Sequence, residues 1–101
     1  MYITYLLLGS NLGNRRKYIA SAISEIEAKL GSISQRSSIY QTASWGKHDQ
    51  PDFLNQVIIV KTKLNAEQTM QTILYKEKKM GRVRTVKNAP RIIDIDILFF
   101  N

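Results

Sequence analysis

At 101 residues, 44% of them hydrophobic, the chain can close one core but not two, and a single domain over residues 1–101 is expected. The absence of cysteine excludes a disulfide framework and a zinc–thiolate site and accords with a reducing, cytoplasmic setting. Net charge is +7, but seven Lys and Arg against one acid fall between Lys76 and Arg91, so +6 of it belongs to one stretch and marks a local anion site.

Tyr2 to Leu8 is apolar on both faces, the pattern of a central strand. It is far shorter than a membrane span and lacks the charged start and cleavage site of a signal peptide. Gly9-Ser10-Asn11 then supplies a turn. Ile19, Ile23, Ile26 and Leu30 recur at spacings of 4, 3 and 4, predicting a helix packed on a sheet, with Gly31 ending it. Arg15, Arg16 and Lys17 stand at its start, where cations are mildly unfavourable, and are expected in solvent. Ser32 to Thr42 alternates loosely, as an edge strand with one wet face does. Ala43 to Asp52 is a polar loop too long for a tight hairpin; it carries the sole tryptophan, Trp45, and the sole histidine, His48. An indole there suits a pocket lid.

Phe53 to Leu64 is the longest predicted strand. Asn55 near its start either reads the hydrogen-bonding edge of a heterocycle or caps loop backbone. Asn65 and Gln68 form a capping box for a second helix. On it Met70, Ile73, Leu74, Glu77 and Met80 share a face, and Gly81 closes it. Glu77 is the odd member, since a carboxylate on a buried stripe needs a partner; Arg82 and Arg84 are the nearest cations beyond the helix.

The last strand runs from Ile92 to Phe100. With a period of two, Ile93, Ile95, Ile97 and Phe99 point one way, Asp94 and Asp96 the other. Aspartate is depleted in strands, and two like charges on one face repel unless a cation lies between them. A wet edge accounts for the pair; so does a divalent cation, for which hard oxygen ligands favour magnesium. Arg82, Arg84 and Arg91 flank the carboxylates, and metal ligands beside guanidinium groups are what a polyphosphate requires.

The order strand, helix, strand, strand, helix, strand predicts an α+β, ferredoxin-like βαββαβ fold, with four antiparallel strands and both helices on one face. Neither G-x-x-x-x-G-K-[ST] nor G-x-G-x-x-G occurs. The alternative is a basic ferredoxin-like nucleic-acid-binding module, but the aromatic RNA-binding run is absent and Asp94 and Asp96 would repel a phosphate backbone. A small-ligand regulatory domain is opposed only by the arginine and aspartate cluster.

Four stretches together resemble the 6-hydroxymethyl-7,8-dihydropterin pyrophosphokinase family of folate biosynthesis: Gly9 to Leu12, Tyr40 to Thr42 with Asp49 to Asn55, Gly81 to Arg84, and Pro90 to Leu98. The resemblance implies Mg²⁺-dependent transfer of pyrophosphate from ATP to the pterin hydroxymethyl group. It implies Asp94 and Asp96 as ligands of a pair of Mg²⁺ ions, and Arg82, Arg91, Asp94 and Asp96 as the catalytic set. Glu77, Arg82, Arg84 and Arg91 would meet ATP; Thr42, Ala43, Trp45, Phe53 and Asn55 would meet the pterin. The chain departs from the family pattern in a shorter loop with Asn88-Ala89 where Trp-Gly often stands, in Ala43 for a proline, and in Trp45 for a smaller apolar residue. Family chains run on for roughly another third, which supplies a second pterin wall and covers the open sheet face. An inactive fragment of such an enzyme is therefore the second alternative, and without that cover the exposed face is expected to pair two chains. Neither nucleic acid nor membrane is expected as a partner.

Overall fold

The computed structural model describes residues 1–43, 50–81 and 91–101. Among these residues five strands form one sheet: β1 Tyr2–Ser10, β2 Gly31–Arg36, β3 Tyr40–Thr42, β4 Phe53–Thr62 and β5 Asp94–Phe100. The helices are α1, Arg15–Lys29, and α2, Ala66–Lys79. Strand order is β2-β4-β1-β5, with β3 also paired to β4 and every described pairing antiparallel. This is the expected split βαβ plan, with one difference in count. The predicted edge strand is two strands laid end to end along β4, because Ser37 leaves the ladder: its Oγ accepts the Val57 N–H (2.9 Å), while its own N–H donates to the Val57 carbonyl (2.8 Å).

The core lies between the helices and one sheet face, where Leu6 and Leu8 of β1 meet Ile19, Ile23 and Ile26 of α1, Ile58 and Val60 of β4, Ile73 of α2 and Ile95 of β5. The α1 spacing therefore reads correctly. Asn14 caps α1 by accepting the Lys17 N–H (3.2 Å), and the Asn65–Gln68 capping box of α2 is fully formed. Gly81 takes φ +98, as a helix-ending glycine does.

Four expectations need correction. Gly9 and Ser10 are not a turn but the end of β1, nine residues long and paired with β4 throughout. Gly31 does not end α1 in a left-handed conformation; it opens β2, and a Cβ there would lie 1.9 Å from the Lys61 carbonyl oxygen, so close backbone approach is what requires glycine. The buried face of α2 holds Thr69, Ile73, Lys76 and Glu77, whereas Met70 and Leu74 are exposed. Lys76 reaches its place there by pairing with Glu25 of α1 at 2.9 Å, a contact that hydrophobic periodicity does not foresee. Phe99 does not share a face with Ile95 and Ile97. Tyr5 pairs with Phe99 and Leu6 with Ile97, so Leu98 is an extra residue, and beyond this β-bulge Phe99 turns to the open face.

Candidate active site

On the sheet face away from the helices, four residues from four strands stand in one row. Tyr40 of β3 pairs with Asn55 of β4, Asn55 with Gly9 of β1, and Gly9 with Asp94 of β5. Directly paired residues of an antiparallel sheet project from the same face, so the register alone brings an amide, a bare backbone position and a carboxylate together. Gly9 forms the floor. A Cβ added there would lie 3.0 Å from Asn55 Oδ1 and 3.4 Å from Phe53 Cδ1, so the missing side chain leaves a hollow bounded by Asn55 and Phe53.

Asn55 is 7% exposed. Its Nδ2 donates to Thr42 Oγ1 at 2.8 Å, which fixes the amide with Oδ1 over Gly9 as an acceptor. Phe53, which pairs with Thr42, is half-buried on the same face. The Arg91 guanidinium lies 5.7 Å from the Phe53 ring centroid, within cation–π range, and its Nη1 donates to Asp94 Oδ2 at 3.1 Å. Asp94 and Asp96 project from the face as the two-residue period requires, with Asp96 the more exposed. Ala43 is exposed beyond the end of β3. Trp45, Arg82 and Arg84 lie outside the described residues, as does His48.

Glu77 approaches the row from below. It is 1% exposed, and its Oε2 accepts the backbone N–H of Ile95 at 2.6 Å, the peptide between the two aspartates. Arg15, expected in solvent, donates from Nη1 to the Asp52 carbonyl at 2.7 Å and so ties the start of α1 to the chain entering β4. Gly9, Arg15 and the buried Asn11 are the site-forming residues that sequence reasoning missed. The signal for Gly9 was a glycine directly after an apolar strand, which marks close approach as readily as a turn.

The donor set suits a hard cation that keeps water and takes phosphate oxygens: two carboxylates on alternate residues of one strand. Among the described residues no three His, Cys, Asp or Glu converge, so an all-protein metal cage is not formed there. The arginine supplies a planar donor for anionic oxygen and the amide an acceptor for a polar heterocycle edge.

The sequence pattern of 7,8-dihydro-6-hydroxymethylpterin-pyrophosphokinase matches residues 5–101. The chain belongs to that family. It is 38% identical to the 2-amino-4-hydroxy-6-hydroxymethyldihydropteridine pyrophosphokinase of Bacillus subtilis over 98% of this chain and 60% of that one. To the protein of the same name from Aquifex aeolicus it is 42% identical, over 99% of this chain and 62% of that one. The chain thus spans about three-fifths of the length of these two relatives. A crystal structure of an HPPK-DHPS in complex with substrates superposes with a TM-score of 0.78 at 20% identity, over 99% of this chain and 28% of that one, which supports the fold. No helix among the described residues is long and apolar enough to cross a membrane.

Proposed function

We propose that this chain carries the pyrophosphokinase chemistry after which its family is named, transferring pyrophosphate from ATP to 6-hydroxymethyl-7,8-dihydropterin. The observation that carries the reading is the row Asn55–Gly9–Asp94, which sets a heterocycle-reading amide beside a carboxylate and arginine pair with a hollow between them. In the reaction the pterin hydroxyl oxygen bonds to the β-phosphorus of ATP, the bond from that phosphorus to the oxygen bridging to the α-phosphate breaks, AMP leaves, and the hydroxyl proton is lost to solvent.

Phe53 stacks on the pterin, and Asn55 Oδ1 accepts from its amino edge while Thr42 holds the amide in place; Ala43 and Trp45 complete that side. Arg91, with Arg82 and Arg84, binds the phosphates and stabilises charge growing on the transferring group. Asp94 and Asp96 would hold a pair of Mg²⁺ ions, which would supply charge neutralisation at the phosphate oxygens. Glu77 serves the nucleotide side indirectly, by holding the Ile95 peptide and hence the direction of both aspartates. A nucleic-acid role is disfavoured by those carboxylates, and a cysteine-free chain suits the cytoplasm.

Isothermal titration separates the readings. Binding of a methylene analogue of ATP should require millimolar Mg²⁺ and weaken only modestly with NaCl. Tight RNA binding with a steep salt slope and no Mg²⁺-dependent nucleotide binding would overturn the proposal. The open face also exposes Ile3, Tyr5 and Phe99, and association of two chains through it completes the reading. Light scattering should show a concentration-dependent dimer; a monomer at all concentrations rules the association out.

A further inference from the structure

Asn11 is fully buried, yet it does not serve the core. Its Nδ2 donates to Gln50 Oε1 at 3.2 Å and to the Pro51 carbonyl at 3.3 Å. Its Oδ1 accepts the Arg91 N–H at 2.9 Å, and its own N–H donates to the Arg91 carbonyl at 3.1 Å. One side chain therefore joins two segments that lie 39 and 40 residues away on one side and 80 on the other.

Those segments lead to opposite halves of the site. Gln50 and Pro51 run directly into Phe53 and Asn55, while Arg91 carries the guanidinium that meets Asp94 and overlies Phe53. No other side chain of this size does the same work. An aspartate keeps the acceptor for Arg91 but sets an oxygen against the Pro51 carbonyl, and a serine cannot donate twice while accepting. Because Asn11 itself is fully buried, removing its amide takes from the Arg91 N–H its acceptor and from the Pro51 carbonyl a donor at a position where water does not simply replace the side chain.

We infer that Asn11 is a positioning residue that couples the two halves of the site, so that nucleotide bound at Arg91 and the aspartates tightens the binding of pterin at Phe53 and Asn55. The inference rests on the pyrophosphokinase reading and adds to it a reciprocal coupling carried by one amide. The rival account, that Asn11 merely fills space between loops, predicts lost stability with no change in coupling.

The test measures the Kd of 6-hydroxymethyl-7,8-dihydropterin by calorimetry on the whole chain, with and without saturating Mg²⁺ and α,β-methylene-ATP. The ratio of the two constants is compared among wild type, Asn11→Ser and Asn11→Asp, with Gln50→Leu as the milder variant should both of the others fail to fold. Wild type should show tighter pterin binding with nucleotide, and the ratio should shrink by about fivefold or more in the Asn11 variants, while each ligand's affinity alone moves less. In ligand-free protein, amide exchange at Arg91 should speed up in Asn11→Ser while Leu6 and Ile58 keep their protection. Wild type that binds both ligands with no cooperation, or a ratio that survives the substitutions, overturns the inference alone. Wild type that binds neither ligand overturns the pyrophosphokinase reading and this inference together.

Discussion

The Glu77 carboxylate and the Ile95 N–H are joined by a 2.6 Å hydrogen bond between a helix side chain and an edge-strand backbone, shut away from water. Ile95 pairs with Leu8 on its inner side, so the carboxylate fixes the strand from α2. Glu77→Ala should orphan this buried donor and lower unfolding free energy by about 1–3 kcal/mol, and it should weaken Mg²⁺-dependent nucleotide binding because Asp94 and Asp96 lose their direction. Glu77→Gln, which keeps an acceptor, should recover most of the binding. Urea unfolding with nucleotide titration checks both, and a Gln variant as impaired as Ala would mean that the charge acts directly.

Asp94 and Asp96 differ in surroundings, and their substitutions should differ in stability though not in activity. Each Asp→Ala change should lower turnover by about a hundredfold to a thousandfold, with the double variant scarcely worse, as the proposal that the two hold metal as one unit requires. Without metal, Asp96→Ala should be as stable as wild type or slightly more so, because mutual repulsion is relieved. Asp94→Ala should instead lose a little, since it removes the carboxylate with which Arg91 pairs. Thermal unfolding with and without Mg²⁺ and ATP is the measurement; a ligand-induced rise in Tm equal to wild type in either variant would remove these residues from metal binding.

Gly9→Val places methyl groups in the hollow between Asn55 and Phe53. Its backbone is not in the left-handed region, so the cost falls on the pocket rather than on strand geometry. Pterin affinity should fall tenfold or more, equivalent to about 1.4 kcal/mol, with nucleotide affinity nearly unchanged. Equal loss of both would point to a general disturbance of β1.

Lys76 holds the Glu25 carboxyl below the usual glutamate value of 4.5, first through their hydrogen bond and then through charge. A carboxyl whose pKa falls on folding contributes stability above its unfolded value, and that contribution is lost as pH falls through the folded one. Glu25→Gln should therefore be less stable than wild type at neutral pH, and the gap should close as pH drops below 4.5. Since the Glu25 side chain is nearly half exposed, the gap should be modest and should shrink in high salt. A difference that persists unchanged at pH 3 would assign the loss to packing.

Hydrophobic spacing was enough for α1, because an isoleucine every third or fourth residue admits few other foldings. It was not enough for α2, where Lys76 replaces Met70 and Leu74 on the inner face by carrying its charge to Glu25, a partner 51 positions earlier. The aspartate pair stood out in the sequence because two charges in an apolar strand violate a local rule, and the structure brings Arg91 to Asp94, while Arg82 and Arg84 lie outside the described residues. Gly9 and Asn11 did not stand out, since a short polar run reads as a turn unless the strand register is known. The row from Tyr40 to Asp94 exists only once four strands are aligned, and no single stretch of sequence contains it.

Leu98 gives β5 two reading frames. Before it, odd-numbered residues face the helices; after it, Phe99 faces outward and stacks edge-on with Tyr5 at 5.5 Å, while Phe100 reaches Tyr2 at 5.3 Å. In strict alternation Phe99 would instead point inward, away from Tyr5, and Phe100 outward. Deleting Leu98 would therefore remove the bulge and leave Phe99 and Phe100 on the sides they now occupy, whereas keeping Leu98 in the ladder without a bulge would exchange them. The aspartates upstream keep their places, so the frame of the charged half of β5 is set independently of the frame of its aromatic half.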